Sequence, residues 1–202
     1  MRDLNKTFFM NLFVSMLITL LVVLIIIYTI NIYQRQLEQQ AEEDSLTGLA
    51  NRRKFNEEFE YMFNLHRRGD IKKLSMILLD IDDFKKVNDT FGHLVGDKVL
   101  IRFSLILKEN LRKTDIVDRW GGEEFAVLFI DTKKDETIQI AEKLRVVIKE
   151  DKVLQEILER PLTISLGLGE LASEDSQDGL IGKVDDALYE AKGLGKDKLV
   201  VV

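Results

Sequence analysis

Residues 117–130 read VDRWGGEEFAVLFI. Two β-prone runs flank Gly121 and Gly122. Glycine reaches positive φ at little steric cost, so this pair predicts a tight hairpin turn. Glu123 and Glu124 follow at once. Neighbouring side chains of a strand point to opposite faces. The hairpin tip can therefore aim one carboxylate into a site and hold the other beside or behind it. Carboxylates on a rigid turn suit a hard cation such as Mg²⁺ together with phosphate oxygens. The alternative is a solvated turn with two surface glutamates.

Upstream, LSMILLDIDDF at 74–84 carries a second acidic cluster. Residues 76–79 are continuously apolar, which predicts a strand buried on both faces. It ends in Asp80, Asp82 and Asp83, and ligands of open α/β sheets gather beyond the carboxyl ends of strands. A carboxylate there costs desolvation unless it is paired or metal-bound. Asp80 and Asp82 share strand parity, with the Ile81 carbonyl between them. One such aspartate with one hairpin-tip glutamate would make a one-metal or two-metal phosphate site. For Asp82 and Asp83, capping of the following helix is the alternative.

The rest of the chain supplies an alternation of elements. Residues 51–68 predict a helix. Val95, Val99, Phe103, Leu107 and Leu111 fall at helical spacing, as do Ile138, Ala141, Leu144 and Ile148, and then Leu180, Val184, Ala187, Leu188 and Ala191. Residues 162–168 and 200–202 read as strands, with the single proline, Pro161, as a boundary before the first. The order β-α-β-β-α-β predicts an α+β fold with a ferredoxin-like core and additions.

Five blocks now carry a resemblance. DSLTGLANRR (44–53), LDIDDFKKVNDTFGHLVGDKVL (79–100), RKTDIVDRWGGEEF (112–125), TISLGLG (163–169) and VDDALYEAKGLGKDKLV (184–200) resemble, in order, the motifs of GGDEF-domain diguanylate cyclases, in the GGEEF form. The resemblance implies the fold shared by nucleotide cyclases and polymerase palm domains. It implies an enzyme that joins two GTP into cyclic di-GMP and releases two pyrophosphates, with Mg²⁺ as cofactor and Mn²⁺ as the alternative ion. Asp80, the Ile81 carbonyl and Glu123 would hold the metal. Glu124 would support it or help deprotonate the attacking hydroxyl. Asp83, Phe84 and Lys85 would present amides to phosphates, and Lys192 and Lys196 would hold the terminal ones, with Gly121 and Gly122 bordering the nucleotide. Asn88 and Asp97 would read guanine. Surface lysines and a helix cap are the plainer readings of Lys192, Lys196 and Asn88.

The family pattern also places an inhibitory product site at Arg112 and Asp115, completed by Lys143 or Arg145. The plainer reading is an exposed ion pair at a helix end. Small departures from the pattern stand at Lys196-Asp197, where Arg-Asn is usual, at Trp120 for Tyr and at Val184 for Ala. A catalytically weak domain that binds cyclic di-GMP or GTP and signals through a partner is the alternative function. The presence of Asp80, Glu123 and Glu124 favours the enzyme.

Composition bounds the remainder. The chain has 202 residues, a formal charge of −6 and no cysteine. Thiolate metal sites and disulfides are therefore excluded, and an acidic surface does not suit general nucleic-acid binding. Residues 7–33 carry no charge, and at ~1.5 Å per residue a helix there runs about 40 Å, enough to span a bilayer core of about 30 Å. Arg2 and Lys6 precede the span and Arg35, Arg52, Arg53 and Lys54 follow it, so charge alone does not orient it. GTP is cytoplasmic, and the resemblance therefore implies a single-pass protein of the inner (cell) membrane with its catalytic domain in the cytoplasm. About six residues would remain outside, too few for a sensor domain. The expected organisation is a transmembrane helix over 1–33, a helical linker over 34–43 and the cyclase domain over 44–202. Ile30, Tyr33, Leu37 and Ala41 lie near heptad spacing, which suits either a short coiled coil joining a homodimer or a plain amphipathic helix.

Overall fold

The computed structural model describes the backbone of residues 2–40 and 42–202 and the side chains of residues 9–34 and 42–202. The chain divides into two units, Met1–Ala41 and Glu42–Val202. The first holds one helix, α1 (Arg2–Gln40). Its stretch Phe9–Gln34, 26 residues long, is uncharged, and each of its side chains is exposed. The hydroxyls of Thr19 and Thr29 turn back onto carbonyls of the preceding turn. A helix that is apolar on all sides does not match the amphipathic pattern of a globular surface. This one is long enough to cross a bilayer core. Of the heptad positions, Ile30 and Tyr33 lie on α1, while the Leu37 side chain and Ala41 lie outside the described residues.

The second unit runs β1 (Ala50–Asn51), α2 (Arg52–Arg68), β2 (Leu74–Ile81), α3 (Phe84–Phe91), α4 (His93–Asn110), β3 (Ile116–Gly121), β4 (Glu124–Ile130), α5 (Lys134–Glu150), α6 (Lys152–Leu158), β5 (Ile164–Glu170), α7 (Gln177–Gly193) and β6 (Lys198–Val201). The sheet order is β1-β3-β4-β2-β5-β6. Its centre, β3-β4-β2-β5, is antiparallel throughout. With α4 and α5 it forms the expected βαββαβ core. β1 and β6 extend the edges in parallel pairings with β3 and β5.

β2 is central and buried along its whole length, as its continuous apolar run requires. Ile77, Leu79 and Ile81 join the cluster under α4, α5 and α6. Met76 and Leu78 join the cluster of α2 and α7, with Phe55, Phe59, Leu180, Val184 and Leu188. Sequence periodicity missed α6, a seven-residue helix, and the two-residue β1. A corner at Gly92, with φ 85° and ψ 158°, separates α3 from α4, a conformation open to glycine.

α7 lies unusually close to β5. A Cβ on Gly167 would sit 2.2 Å from the Val184 carbonyl oxygen and 2.5 Å from the Leu188 nitrogen. Both are backbone atoms and cannot swing away. Gly167→Ala is therefore expected to lower the thermal midpoint by several degrees, since overpacking costs ~1–3 kcal/mol and each kcal/mol is worth roughly 2–4 °C at this size. An unchanged midpoint would mean that α7 is not seated on this glycine.

Candidate active site

The acidic residues meet where β2 ends and β4 begins. Register pairs Asp80 with Glu124 across the two strands. Opposed residues of an antiparallel pair share a face, and here it is the face that α7 covers. The Ile81 amide donates to the Glu123 carbonyl at 3.4 Å, which ties the turn to the end of β2. From α7, Lys192 Nζ lies 2.7 Å from Asp80 Oδ2. Burial pushes the Asp80 carboxyl up to about 6, with Lys192 opposing the rise and Glu123 and Glu124 adding to it. That mutual repulsion marks a cluster whose negative charge a cation relieves.

The hairpin differs in detail from its sequence reading. Gly121 is the last residue of β3 and pairs with Glu124, with a register shift between Arg119 and Gly121. The turn itself is Gly122–Glu123, and of the two glycines only Gly122 has positive φ, 52°. Glu123 thus leaves the strand pleat, which is how both glutamates come to act on Asp80 rather than pointing to opposite faces. Arg119 fixes this turn. Its Nε and one terminal nitrogen donate to the Gly122 carbonyl at 3.0 and 2.8 Å. Its other terminal nitrogen donates to both Asp44 oxygens at 3.1 and 3.2 Å. Burial would raise the Asp44 pKa, but hydrogen bonds from Thr47 and Arg119 hold it low. The start of the second unit is so linked directly to the glutamate turn, a role that the sequence alone did not suggest for Asp44.

Neither Asp82 nor Asp83 caps α3. Asp82 is buried and accepts from Ser165 Oγ at 2.7 Å and from the Asp197 amide at 3.0 Å. It binds the end of β2 to β5 and to the loop before β6. Asp83 occupies the N-cap position with φ 57° and makes no side-chain cap bond. Its carboxylate instead pairs with Lys196 at 2.8 Å and Lys86 at 3.0 Å, which lower its pKa. The loop carrying Lys196 has three successive positive-φ residues, Gly195, Lys196 and Asp197. Non-glycine residues in this region store strain that the surroundings must hold, and such strain gathers at functional sites. Here Asp197 is held by Arg145, at 2.8 Å, and by Lys149, both on α5. The acid that departs from the family's usual Asn has therefore found two cations.

Phe84 is buried at the start of α3, while Lys85 is exposed. Amides in the first turn of a helix have no intrahelical acceptor and face an anion well. Asn88 lies half-buried on α3, against Gly96 of α4, and Asp97 is exposed beside that glycine.

Arg112 and Asp115 sit in the loop between α4 and β3. They are not the ion pair that the plainer reading expects. The Arg112 backbone amide donates to Asp115 Oδ2 at 2.9 Å, and Asp115 is buried while the Arg112 side chain is exposed. Burial raises the Asp115 pKa, with Arg112 opposing it. On α5, Lys143 is exposed, whereas Arg145 is engaged by Glu142 and Asp197.

Among the described residues, no three carboxylate, imidazole or thiolate groups already converge on one point. The cation on Asp80 is Lys192. The oxygen donors at this edge are nonetheless the hard set that Mg²⁺ prefers.

With this geometry in view, likeness to known proteins narrows the class. Residues 41–198 match the family described as "Diguanylate cyclase, GGDEF domain", and the chain belongs to that family. It is 38% identical over 173 residues to diguanylate cyclase DgcM of Escherichia coli (strain K12), covering 83% of this chain and 40% of DgcM. Among solved structures, the GGDEF domain of DgcB from Caulobacter crescentus in complex with c-di-GMP is similar with a TM-score of 0.74 at 30% identity, over 80% of this chain and 96% of that one. The active GGEEF domain of a diguanylate cyclase from Vibrio cholerae gives 0.70 at 30% identity, over 76% and 97%.

Proposed function

We propose that this chain is a metal-dependent diguanylate cyclase that works as a homodimer, is tethered by α1 to the cell membrane with its second unit in the cytoplasm, and is restrained by its own product. The observation that carries the reading is the cluster of Asp80, Glu123 and Glu124 at the end of β2, edged by Lys192 and Lys196. Family membership supports it.

In the reaction, the 3′-oxygen of one GTP attacks the α-phosphorus of another, the bond to the bridging β-phosphate oxygen breaks, and pyrophosphate leaves. The same step in the other direction closes the ring. Asp80, the Ile81 carbonyl and Glu123 would hold Mg²⁺ or Mn²⁺, which when bound neutralises phosphate oxygens and lowers the pKa of the attacking hydroxyl. Glu124 supports that set or takes the proton from the 3′-hydroxyl. Lys192 and Lys196 exchange their carboxylate partners for the terminal phosphates. The amides at Asp83, Phe84 and Lys85 hold phosphate oxygens. Asn88 and Asp97 read guanine, whose N1 and N2 donors adenine does not offer to an aspartate. Each subunit binds one GTP, so two must face each other for either bond to form.

The exposed Arg112 side chain is a two-pronged donor for guanine O6 and N7 of the product. Asp115 shapes the loop beneath it, and Lys143 supplies the second cation. Arg112→Ala is expected to relieve inhibition by cyclic di-GMP at least tenfold while basal turnover survives, with inhibition of the wild type non-competitive toward GTP. Equal inhibition constants in wild type and variant would remove Arg112 from a product site. The reading as a whole is tested by the stoichiometry of the purified full chain with GTP and Mg²⁺. Two pyrophosphates per cyclic dinucleotide are expected, and release of GDP and phosphate instead would sink it.

A further inference from the structure

We propose that Gly96 is a positioning residue for guanine recognition, because its missing side chain is the seat of the Asn88 carboxamide. The inference rests on the reading of Asn88 as a guanine contact and deepens it.

α3 and α4 meet at the Gly92 corner and pack against each other from there. A Cβ built on Gly96 would lie 2.0 Å from Asn88 Oδ1, 3.1 Å from Asn88 Cγ and 3.2 Å from Phe84 Cζ. The carboxamide therefore occupies the volume that any side chain at position 96 would need. Gly96 is not in a positive-φ conformation, and the glycines that are stand elsewhere. Backbone conformation thus gives no reason for glycine at this site; space does. Gly96 is buried, Asn88 is half-buried, and Asp97 follows on the exposed side of the same helix turn. The two groups read as guanine contacts thus flank this one glycine.

Gly167 gives the contrast. There an added methyl meets backbone, and the fold must yield. At Gly96 it meets the tip of a side chain that can rotate about its own bonds, and Phe84 needs to give by only a few tenths of an ångström. Gly96→Ala should therefore keep the fold and turn the carboxamide out of place. Nucleotide affinity supplied by the phosphates would persist, and the preference for guanine would fall.

The test uses the full chain in detergent with 3′-deoxy-GTP and 3′-deoxy-ATP, which lack the attacking hydroxyl, and reads affinity by calorimetry. Gly96→Ala and Asn88→Ala should each weaken the guanine nucleotide about tenfold or more, the scale of losing a well-made hydrogen bond in a binding site. Both should leave the adenine nucleotide unchanged. The double variant should lose no more than Asn88→Ala alone, because one group is displaced in both cases. Losses that add in the double variant would overturn the proposal. So would a Gly96→Ala variant that keeps its guanine preference while Asn88→Ala loses it, and that result would leave the cyclase reading intact. An Asn88→Ala variant with full guanine preference would overturn the guanine assignment and this proposal with it. If Gly96→Ala does not fold, the double variant decides. Recovery of its melting transition supports displacement of Asn88, and continued unfolding contradicts it.

Discussion

Alanine at Asp80 is expected to lower cyclic di-GMP synthesis by roughly 10²-fold or more, the loss typical of an electrostatic group that acts on developing charge. Asp80 stands opposite Glu124 in the central strand pair, one residue from the Ile81 amide that holds the Glu123 carbonyl. It is 7% exposed, paired with Lys192 and repelled by Glu123 and Glu124. Loss of fold would not explain such a result. With its pKa raised above the unfolded value to about 6, the ionised carboxylate is a cost to the folded state at neutral pH, only partly offset by Lys192. The thermal midpoint of Asp80→Ala should therefore equal or exceed that of the wild type while turnover collapses. A variant with near-normal synthesis in Mg²⁺, or one that loses activity by unfolding, would remove Asp80 from the site. Glu123→Ala should lose turnover to a similar extent.

Asp118→Val is expected to stabilise the domain by on the order of 3 kcal/mol at pH 8, the scale of an uncompensated buried charge. Asp118 is fully buried on β3, opposite Ala126, on the face packed by Phe55, Phe59 and Leu128. Neither carboxylate oxygen makes a hydrogen bond. Burial pushes its pKa up to about 8, and the nearby amide of Ala126 and the Arg52 charge only moderate the rise. Arg52 itself lies over the Trp120 ring, 4.2 Å from its centroid. Because the folded pKa is raised, the wild type gains most from this group below the unfolded pKa of about 4. It then loses stability as pH climbs from there through about 8. Between pH 5 and pH 8 the unfolding free energy should fall with a slope that corresponds to about one more proton held by the folded state in the wild type than in Asp118→Val. Parallel pH profiles, or a destabilised variant, would mean that the carboxylate has a partner in solution.

How much of this was legible in the sequence depends on the range of the signal. The run ILL before Asp80 gave β2, and the stripes of α4, α5 and α7 gave the helices, because burial repeats at the local period. That a strand-end aspartate meets a hairpin-tip glutamate was legible from the pattern, while the choice of Asp80 and Glu123 came from resemblance. What the sequence concealed was set by partners far along the chain. Asp82 is explained by Ser165 and by the Asp197 amide, Asp197 by Arg145 and Lys149, and Asp44 by Arg119. Arg145, which with Lys143 was one of two basic residues that could complete the inhibitory site, also meets an acid 52 residues away, and spacing along a helix does not show that. Gly96 and Gly167 look alike in sequence, and only packing tells the one that admits a side-chain tip from the one that admits a helix backbone. Asp118 gave no signal at all, since one acid in a β-strand reads as its exposed face.

The central claim is that the carboxylate cluster at the end of β2 serves metal-dependent joining of two GTP. Its most direct test is incubation of the purified full chain with GTP labelled at the α-phosphate, in Mg²⁺ and again in excess chelator, with the products separated. The label should pass into cyclic di-GMP in Mg²⁺ and stay in GTP under chelation. Equal conversion in both, or label recovered as GDP or GMP, would contradict the account.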